Sequence, residues 1–404
     1  MANRCVVIGG SHAAAQLVIS LRTEGWDGEI VIVTEDAYIP YRRPPLSKEY
    51  LSGEKSMDDI KIRSSSAYEK VEVQFKLNTK VISINREKKT VSLSCGEELS
   101  YSKLALTTGA QVRKLTTPGS NLPGVCYLRD AADVEVIRRY TRDGGKAVIV
   151  GGGYIGLETA AVFRKLGMSV TLLEAGERIL QRVTTEKISR FYQRIHTEEG
   201  VNVVTGASLV EFVGDDQVRS VRCGDGTHYD ADLVVVGIGV LPRQGLAEDA
   251  GLEVGNGIVV NEFAETSDPD IVAAGDCAFH RNSVYDREMR IESVQNAMEQ
   301  AKVAAATICG NKKPYEMLPT FWSNQYDLKL QIAGLSQGYD EVVIRGEIEK
   351  ERKFTAFYLK EGRLLALDAV NRPKDFMMGK KLILGKSLDK AALADDSVSL
   401  KELA

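Results

Sequence analysis

The sequence predicts an α/β protein made of two similarly built doubly wound units and a C-terminal α+β segment. Three observations carry that prediction. First, residues 4–36 (RCVVIGGSHAAAQLVISLRTEGWDGEIVIVTED) and 146–177 (KAVIVGGGYIGLETAAVFRKLGMSVTLLEAGE) repeat one pattern. An apolar run enters a glycine-rich turn, a helix-forming stretch with small residues follows, and a second apolar run ends in an acidic residue. Continuous apolar runs suit strands buried on both faces of a parallel sheet. Second, residues 71–109 and 197–239 alternate apolar and polar side chains, the latter around GDD and GDG turns, and so read as strands. Third, the texture changes near the end. KFTAFYLKEGRLLALDAV (353–370) reads as two strands around a Glu361-Gly362 turn, and the stretch 380–404 reads as helical.

The two glycine turns justify the repeated units. Gly151, Gly153 and Gly156 complete a G-x-G-x-x-G between strand and helix. The first glycine permits the tight turn, the second lets backbone approach a pyrophosphate, and the third lets the helix pack on the strand. The pyrophosphate would lie at the helix amino end, where unpaired N–H groups and the dipole favour an anion. Glu174 follows at the end of the next strand, the usual place for a ribose-binding carboxylate, and no basic residue comes after it until Arg178. A carboxylate there hydrogen-bonds a ribose diol and repels a 2′-phosphate, which favours NADH over NADPH. The first turn keeps Gly9, but Ser11 and Ala14 replace the second and third glycines, and Glu35 again stands at the end of the following strand. Taken alone it could be an ordinary strand–helix turn. Paired with the second unit it reads as another dinucleotide site. Two such sites in one chain point to a resident flavin and a transient nicotinamide hydride donor.

The fold expected is therefore two Rossmann-like dinucleotide-binding domains plus a C-terminal α+β domain. Residues 1–109 and 240–312 would form a discontinuous FAD-binding domain, 110–239 the NADH-binding domain and 313–404 the C-terminal domain. The IVAAGD strand (271–276) and a helix at 292–309 belong to the returning part of the first. A length of 404 residues accommodates this division, at about 100–200 residues per domain.

Bulk properties exclude other classes. Net charge is only −4, so no global field marks a nucleic-acid or membrane-surface binder. No apolar run approaches the roughly 18 residues that would span a bilayer, and the opening MANRCVVIGG is a strand entering a turn rather than a signal peptide. The expected location is the cytoplasm. The cysteines, Cys5, Cys95, Cys126, Cys223, Cys277 and Cys309, make no CxxC and no metal-ligand pair, so reduced structural thiols and no metal are expected. Of the scattered histidines, His12 either faces a pyrophosphate or is a local turn residue, while His196 and His228 are expected on the surface; His280 pairs with none of them.

PYRRPPLSK (40–48) is a proline-stiffened basic loop just after the first acidic strand end. With LALTTGA (104–110), VGGGYIGLE (150–158), VVVGIGVLP (234–242), AAGDC (273–277), RIESVQNAMEQA (290–301), FWSNQYDLKLQIAGL (321–335) and DAVNRPKDF (368–376), it makes an ordered set. On that set the chain resembles the FAD-dependent NADH:ferredoxin reductases of bacterial oxygenase systems, the putidaredoxin reductase type. Apoptosis-inducing factor is a more distant relative. Two departures stand out: TTG at 107–109 in place of the commoner ATG, and Arg243 where asparagine is frequent.

The resemblance implies roles for individual residues. Gly9, Ser11, His12, Ala13, Ala14, Glu35, Arg43, Lys48, Val81, Thr108, Gly109, Arg129, Asp276, Val294 and Trp322 would contact FAD. Asp276, at a strand end followed by a helix, would bind the ribityl chain. Val294 would offer its N–H to the ring's carbonyl edge, and Trp322 would lie beside the ring. Gly151, Gly153, Tyr154, Ile155, Gly156, Glu158, Glu174, Arg182, Gly237, Ile238 and Gly239 would contact NADH. Lys48 and Glu158 would meet at the flavin, the ammonium favouring the electron-rich ring and the carboxylate orienting it, unless the two are an ordinary structural ion pair. Arg43 as a solvated charge, Asp276 as a helix cap and Trp322 as core packing are the plainer alternatives.

The implied reaction passes electrons from NADH through FAD to a two-iron two-sulfur ferredoxin serving a haem monooxygenase or ring-hydroxylating dioxygenase. Such ferredoxins are acidic. Arg372, Lys374, Lys380, Lys381, Lys386 and Lys390, opposed only by Asp375 and Asp389, offer a basic patch on an otherwise acidic chain. A solvated helix face accounts for the same residues. A monomer or weak dimer is expected. A redox-responsive interaction protein of the apoptosis-inducing-factor type and a one-electron reductase of a small molecule are the alternatives. A disulfide reductase or NADH oxidase would need a redox cysteine beside the flavin, and the loop at 38–50 has none.

Overall fold

A computed structural model of the chain describes residues 3–403. Packing groups them into two compact units, one from the residues up to 43 with 55–111 and 240–319, the other from 44–54, 112–239 and 320 onward.

The first unit is built on a parallel sheet in the order Val73–Lys76, Glu29–Val33, Arg4–Ile8, Lys103–Leu106, Ile271–Ala273. Cys5 to Ile8 are buried, as their unbroken apolar run requires. The helices His12–Thr23 and Val294–Ile308 cover one face. Their contact is made of Ala13, Ala14, Ala15, Ala297, Ala301, Ala304 and Ala305, small side chains that let two helices approach closely. The antiparallel strands Val81–Asn85, Thr90–Leu93 and Glu98–Ser100 cover the other face.

The second unit repeats the plan. Its parallel sheet runs Val201–Thr205, Ser169–Glu174, Lys146–Val150, Leu233–Val236, Val125–Tyr127, with the helix Tyr154–Lys165 following the central strand. The three antiparallel strands Leu209–Gly214, Val218–Cys223 and His228–Asp230 take the corresponding place in the chain. The fifth strand breaks the symmetry: in the first unit it arrives late in the chain, in the second it precedes the central strand.

The same unit holds a five-stranded antiparallel sheet ordered Thr320–Gln325, Leu328–Gly334, Arg363–Val370, Phe354–Lys360, Glu341–Arg345. The expected hairpin at 353–370 is present, and Glu361 and Gly362 turn with φ of 49° and 77°. Positive φ at both positions matches the twist of the paired strands.

Several expectations differ from the structure. The tail from 380 onward is mostly turns, with helix only at Lys390–Ala394. Buried Arg345 donates to the carbonyls of Leu393, Asp396 and Val398, which ties the tail down by side-chain bonds instead of helical ones. Residues 44–54, assigned above to the first domain, group with the second unit. Ser47 and Lys48 reach Glu158, the Tyr50 hydroxyl donates to Glu135, and Lys165 pairs with Glu54. The C-terminal sheet also groups with the second unit instead of standing apart, joined by a Tyr154–Phe321 ring contact and by hydrogen bonds between Thr184 and both Asp368 and Tyr358. Among the described residues no helix is long and apolar enough to cross a membrane.

Candidate functional site

In the first unit, the turn after Arg4–Ile8 is drawn tight by its glycine. Gly9 has φ of +107°, and a Cβ there would stand 2.3 Å from the Thr107 carbonyl oxygen. Ser11 is the N-cap of the helix His12–Thr23, yet its hydroxyl caps no helix amide. It instead accepts from Arg43 Nε at 3.4 Å. Arg43 stacks over the Tyr41 ring and pairs with Asp36 at 3.0 Å, so its charge is held at this helix amino end. Dipole, backbone amides and guanidinium together favour an anion at this end. His12 is buried beside Ser11, and Ala13 and Ala14 are buried in the helix contact.

The other first-unit residues vary in what they present. Glu35 is exposed and paired with Arg243 at 3.1 Å, which gives the unusual arginine a defined partner. Thr108 donates its hydroxyl to the Arg243 carbonyl at 2.7 Å, and the Gly109 carbonyl accepts from the Arg243 N–H. Val81 has its side chain in the core, leaving only main chain to meet a ligand. Asp276 corrects an expectation: it lies in a turn between the strands Ile271–Ala273 and Ala278–Asn282, so no helix follows it directly. The turn is held because Gln300 Oε1 accepts from the Gly275 N–H at 2.9 Å. Ser293, not Asp276, caps the helix Val294–Ile308. Val294 is its first residue, with an N–H that has no acceptor inside the helix.

In the second unit, the three glycines separate by function. A Cβ on Gly151 (φ +111°) would stand 2.5 Å from the Gly237 carbonyl oxygen, and one on Gly156 would stand 2.1 Å from the Gly151 carbonyl oxygen. Those two exist for close packing. A Cβ on Gly153 would meet nothing within 4 Å. Gly153 is also the N-cap of Tyr154–Lys165 and offers no side-chain cap. The helix amino end therefore opens on space, which fits a pyrophosphate. Glu174 is oriented by the N–H groups of Gly152 at 2.6 Å and Gly176 at 2.7 Å, one on each oxygen, with lone pairs left for a diol. Arg178 is committed to the Thr184 carbonyl and the Ser189 hydroxyl. The Arg182 guanidinium lies 3.7 Å from where a Gly239 Cβ would stand. Gly237 donates its N–H to the Val150 carbonyl, and Ile238 borders the sheet core. Ile155 is exposed. The Tyr154 ring packs on Phe321 and its hydroxyl is buried, so this residue can offer a ligand only its main chain. Arg129 donates its N–H to Asp133 before the helix Ala131–Tyr140.

Lys48 and Glu158 meet within this unit at 2.5 Å. Glu158 is 3 % exposed and accepts from three donors: the Lys48 ammonium, the Ser47 hydroxyl at 2.5 Å and the Ser323 hydroxyl at 2.6 Å. A buried carboxylate requires such compensation. Lys48 also donates to the Pro44 carbonyl at 3.3 Å, which leaves its third N–H outside these contacts. Trp322 is on the strand Thr320–Gln325 and 37 % exposed, beside an open pocket shared with Asn324, Lys329, Asn371 and Pro373.

Ser47, Ser323, Gln325 and Asp36 take part in these constellations without having been singled out from the sequence. Ser47 lay inside PYRRPPLSK, and Ser323 and Gln325 inside FWSNQ; their alternation on a strand was the available signal. His196, expected at the surface, is fully buried and bonded to Gln325, because it lies on the inward face of the helix Glu186–Glu198. All six cysteines are free thiols, and burial pushes Cys5 up to about 12 and Cys126 up to about 11, away from thiolate chemistry.

Comparison with known proteins bears on the same residues. The family profile described as pyridine nucleotide-disulphide oxidoreductase matches residues 3–301, and the one described as reductase C-terminal matches 320–404. Putidaredoxin reductase of Pseudomonas putida is 43 % identical over 98 % of this chain and 96 % of its own. The ferredoxin reductase subunit of 5,5'-dehydrodivanillate O-demethylase from a Sphingobium species is 41 % identical over 99 % and 98 %. The crystal structure of the covalent putidaredoxin reductase–putidaredoxin complex superposes with a TM-score of 0.95 at 42 % identity, covering 99 % of this chain and 98 % of the other.

Proposed function

Because the chain belongs to the pyridine nucleotide-disulphide oxidoreductase family, and is an oxidoreductase using FAD and NAD(H), we propose that it is a ferredoxin reductase of an oxygenase system. It draws electrons from NADH and delivers them to a two-iron two-sulfur ferredoxin. The observation that carries this reading is the pair of helix amino ends, one per unit, each following a glycine turn and each without a side-chain cap.

The first helix end, with Ser11 and Arg43, would hold the FAD pyrophosphate. The Asp276 turn and the Val294 N–H are further FAD contacts. The second end, at Gly153, would hold the NADH pyrophosphate. Glu174 would take the adenosine ribose and repel a 2′-phosphate, while Arg178, being committed elsewhere, is not available to welcome one. Bound FAD supplies two-electron acceptance from NADH and single-electron release to a one-electron carrier.

The chain's own contribution is charge set in advance. Glu158 keeps the Lys48 ammonium in place through a 2.5 Å pair, so the lysine needs no reorganisation when charge develops nearby. The sequence has no CxxC, and the loop at 38–50 has no cysteine to compete for the electrons. The proposed ferredoxin contact is the basic stretch 374–386, in which Lys374, Lys381 and Lys386 are exposed, as is Met377 at 60 % exposure. Arg372 and Lys390 drop out of the patch read from the sequence, since they pair with Asp396 and Glu341.

The test is anaerobic. Purified protein should be yellow, bleach on one equivalent of NADH, and then reduce an oxygenase-system ferredoxin. NADPH and ferricyanide serve as controls. A colourless protein that takes up no added flavin overturns the proposal.

A further inference from the structure

The second unit contains a line of buried polar side chains that neither nucleotide binding nor docking calls for. Ser323 donates to Glu158 Oε1 at 2.6 Å. Gln325 Nε2 donates to Ser323 Oγ at 3.1 Å. Gln325 Oε1 lies 2.9 Å from His196 Nε2, and His196 Nδ1 lies 3.3 Å from the Tyr326 hydroxyl. Exposure is 3 % at Glu158, 1 % at Ser323, 2 % at Gln325 and 0 % at His196.

The carboxylate at one end dictates the direction of every bond. An ionised carboxylate only accepts, so Ser323 must donate to it. Its one hydrogen spent, Ser323 can only accept from the Gln325 amide nitrogen. The Gln325 oxygen then faces His196, which must donate from Nε2. Nδ1 is left bare and accepts from Tyr326. Burial holds His196 neutral by pulling its pKa down to about 4, and a neutral ring has this one-donor, one-acceptor form.

Stability alone does not account for the line. Replacing matched buried polar partners by apolar groups of similar shape is nearly neutral or stabilising. What the line does accomplish is orientation. Ser323 and Gln325 alternate with Trp322 and Asn324, so one face of the strand is buried and the other exposed.

We infer that Ser323, Gln325 and His196 are positioning residues: their one-way donor line occupies Glu158 Oε1 and leaves Oε2 to Lys48 and Ser47, fixing the ammonium before any nucleotide arrives. The inference rests on the proposed part of Lys48, held by Glu158, in favouring charge that develops nearby during reduction by NADH.

Two variants of the full-length flavoprotein test it. Gln325→Glu keeps the shape and replaces the donor by an acceptor. Ser323→Ala removes the donor to Glu158 without adding charge. In stopped-flow reduction by NADH, both should lower the limiting rate about tenfold, the loss of one charge-assisted hydrogen bond, with the NADH dissociation constant within about twofold of the parent. Nitrogen NMR of the histidine rings supplies a readout apart from activity. Parent His196 should carry its proton on Nε2 and stay neutral at about pH 6, whereas in Gln325→Glu the facing carboxylate should draw a second proton onto the ring. Limiting rates within about twofold of the parent for both variants, or a parent His196 protonated on Nδ1, would overturn the inference. A parent flavin that NADH does not reduce overturns the proposed function as well, which separates the two failures.

Discussion

Gly151 and Gly153 share one turn, and their missing side chains serve different ends. At Gly151 the backbone has φ of +111° and a Cβ would strike the Gly237 carbonyl oxygen at 2.5 Å. Gly151→Ala should therefore cost about 2 kcal/mol or more of stability, seen as a lowered Tm. At Gly153 a Cβ meets no protein atom. Gly153→Ala should lower Tm much less than Gly151→Ala, since losing an N-cap glycine costs under about 1 kcal/mol, yet weaken NADH roughly tenfold by titration. Lys48 gives a third expectation at this scale. Lys48→Ala should slow flavin reduction by NADH about 10- to 100-fold in stopped flow, the range for removing one preorganised charge. An unchanged rate removes the lysine from the chemistry.

At the scale of elements, the C-terminal strands carry polar groups into a buried place. Asp368, on the strand Arg363–Val370, is 2 % exposed and accepts at one oxygen from Tyr358 at 2.5 Å and Thr184 at 3.0 Å. Burial outweighs these two bonds and pushes its pKa up to about 6. A carboxyl whose folded pKa lies above its unfolded value binds its proton more tightly when folded. Its neutral form is thus favoured below about pH 4, and stability drains away as pH rises to about 6. Over that window the cost approaches about 3 kcal/mol, at about 1.36 kcal/mol per unit. Asp368→Asn should then gain on the parent in thermal melts as pH rises from about 4 to 7, with the advantage levelling off above the folded pKa. A melting difference that ignores pH would mean the carboxylate is better compensated than its two hydroxyl partners suggest.

Across the whole molecule, net charge is −4, yet the stretch 374–386 carries exposed lysines at 374, 381 and 386. An acidic ferredoxin would be drawn to that region against the average charge of the chain. Its reduction rate at limiting concentration should fall severalfold between about 50 and 300 mM salt, as screening shortens to a few ångströms. Ferricyanide reduction, measured alongside, separates docking from flavin chemistry. Lys374→Glu combined with Lys381→Glu should flatten the salt dependence. A rate for ferredoxin indifferent to ionic strength excludes this steering.

The amino-acid sequence by itself determined the two parallel sheets, their glycine turns and the acidic residue at each second strand's end. These depend on local periodicity and backbone permissiveness, which one stretch of chain expresses without reference to another. It also marked Lys48 and Glu158 through the motifs that hold them. Only the tertiary structure decided what satisfies Glu158. Its donors Ser47 and Ser323 lie 111 and 165 residues away, and no pattern of spacing encodes such a meeting. His196 sits in a polar-looking helix whose inward face became visible only with Gln325 against it. The turn at Asp276, the grouping of residues 44–54 and the largely non-helical tail were decided likewise, because hydrogen bonds to Gln300, Glu158 and Arg345 overrode local preference.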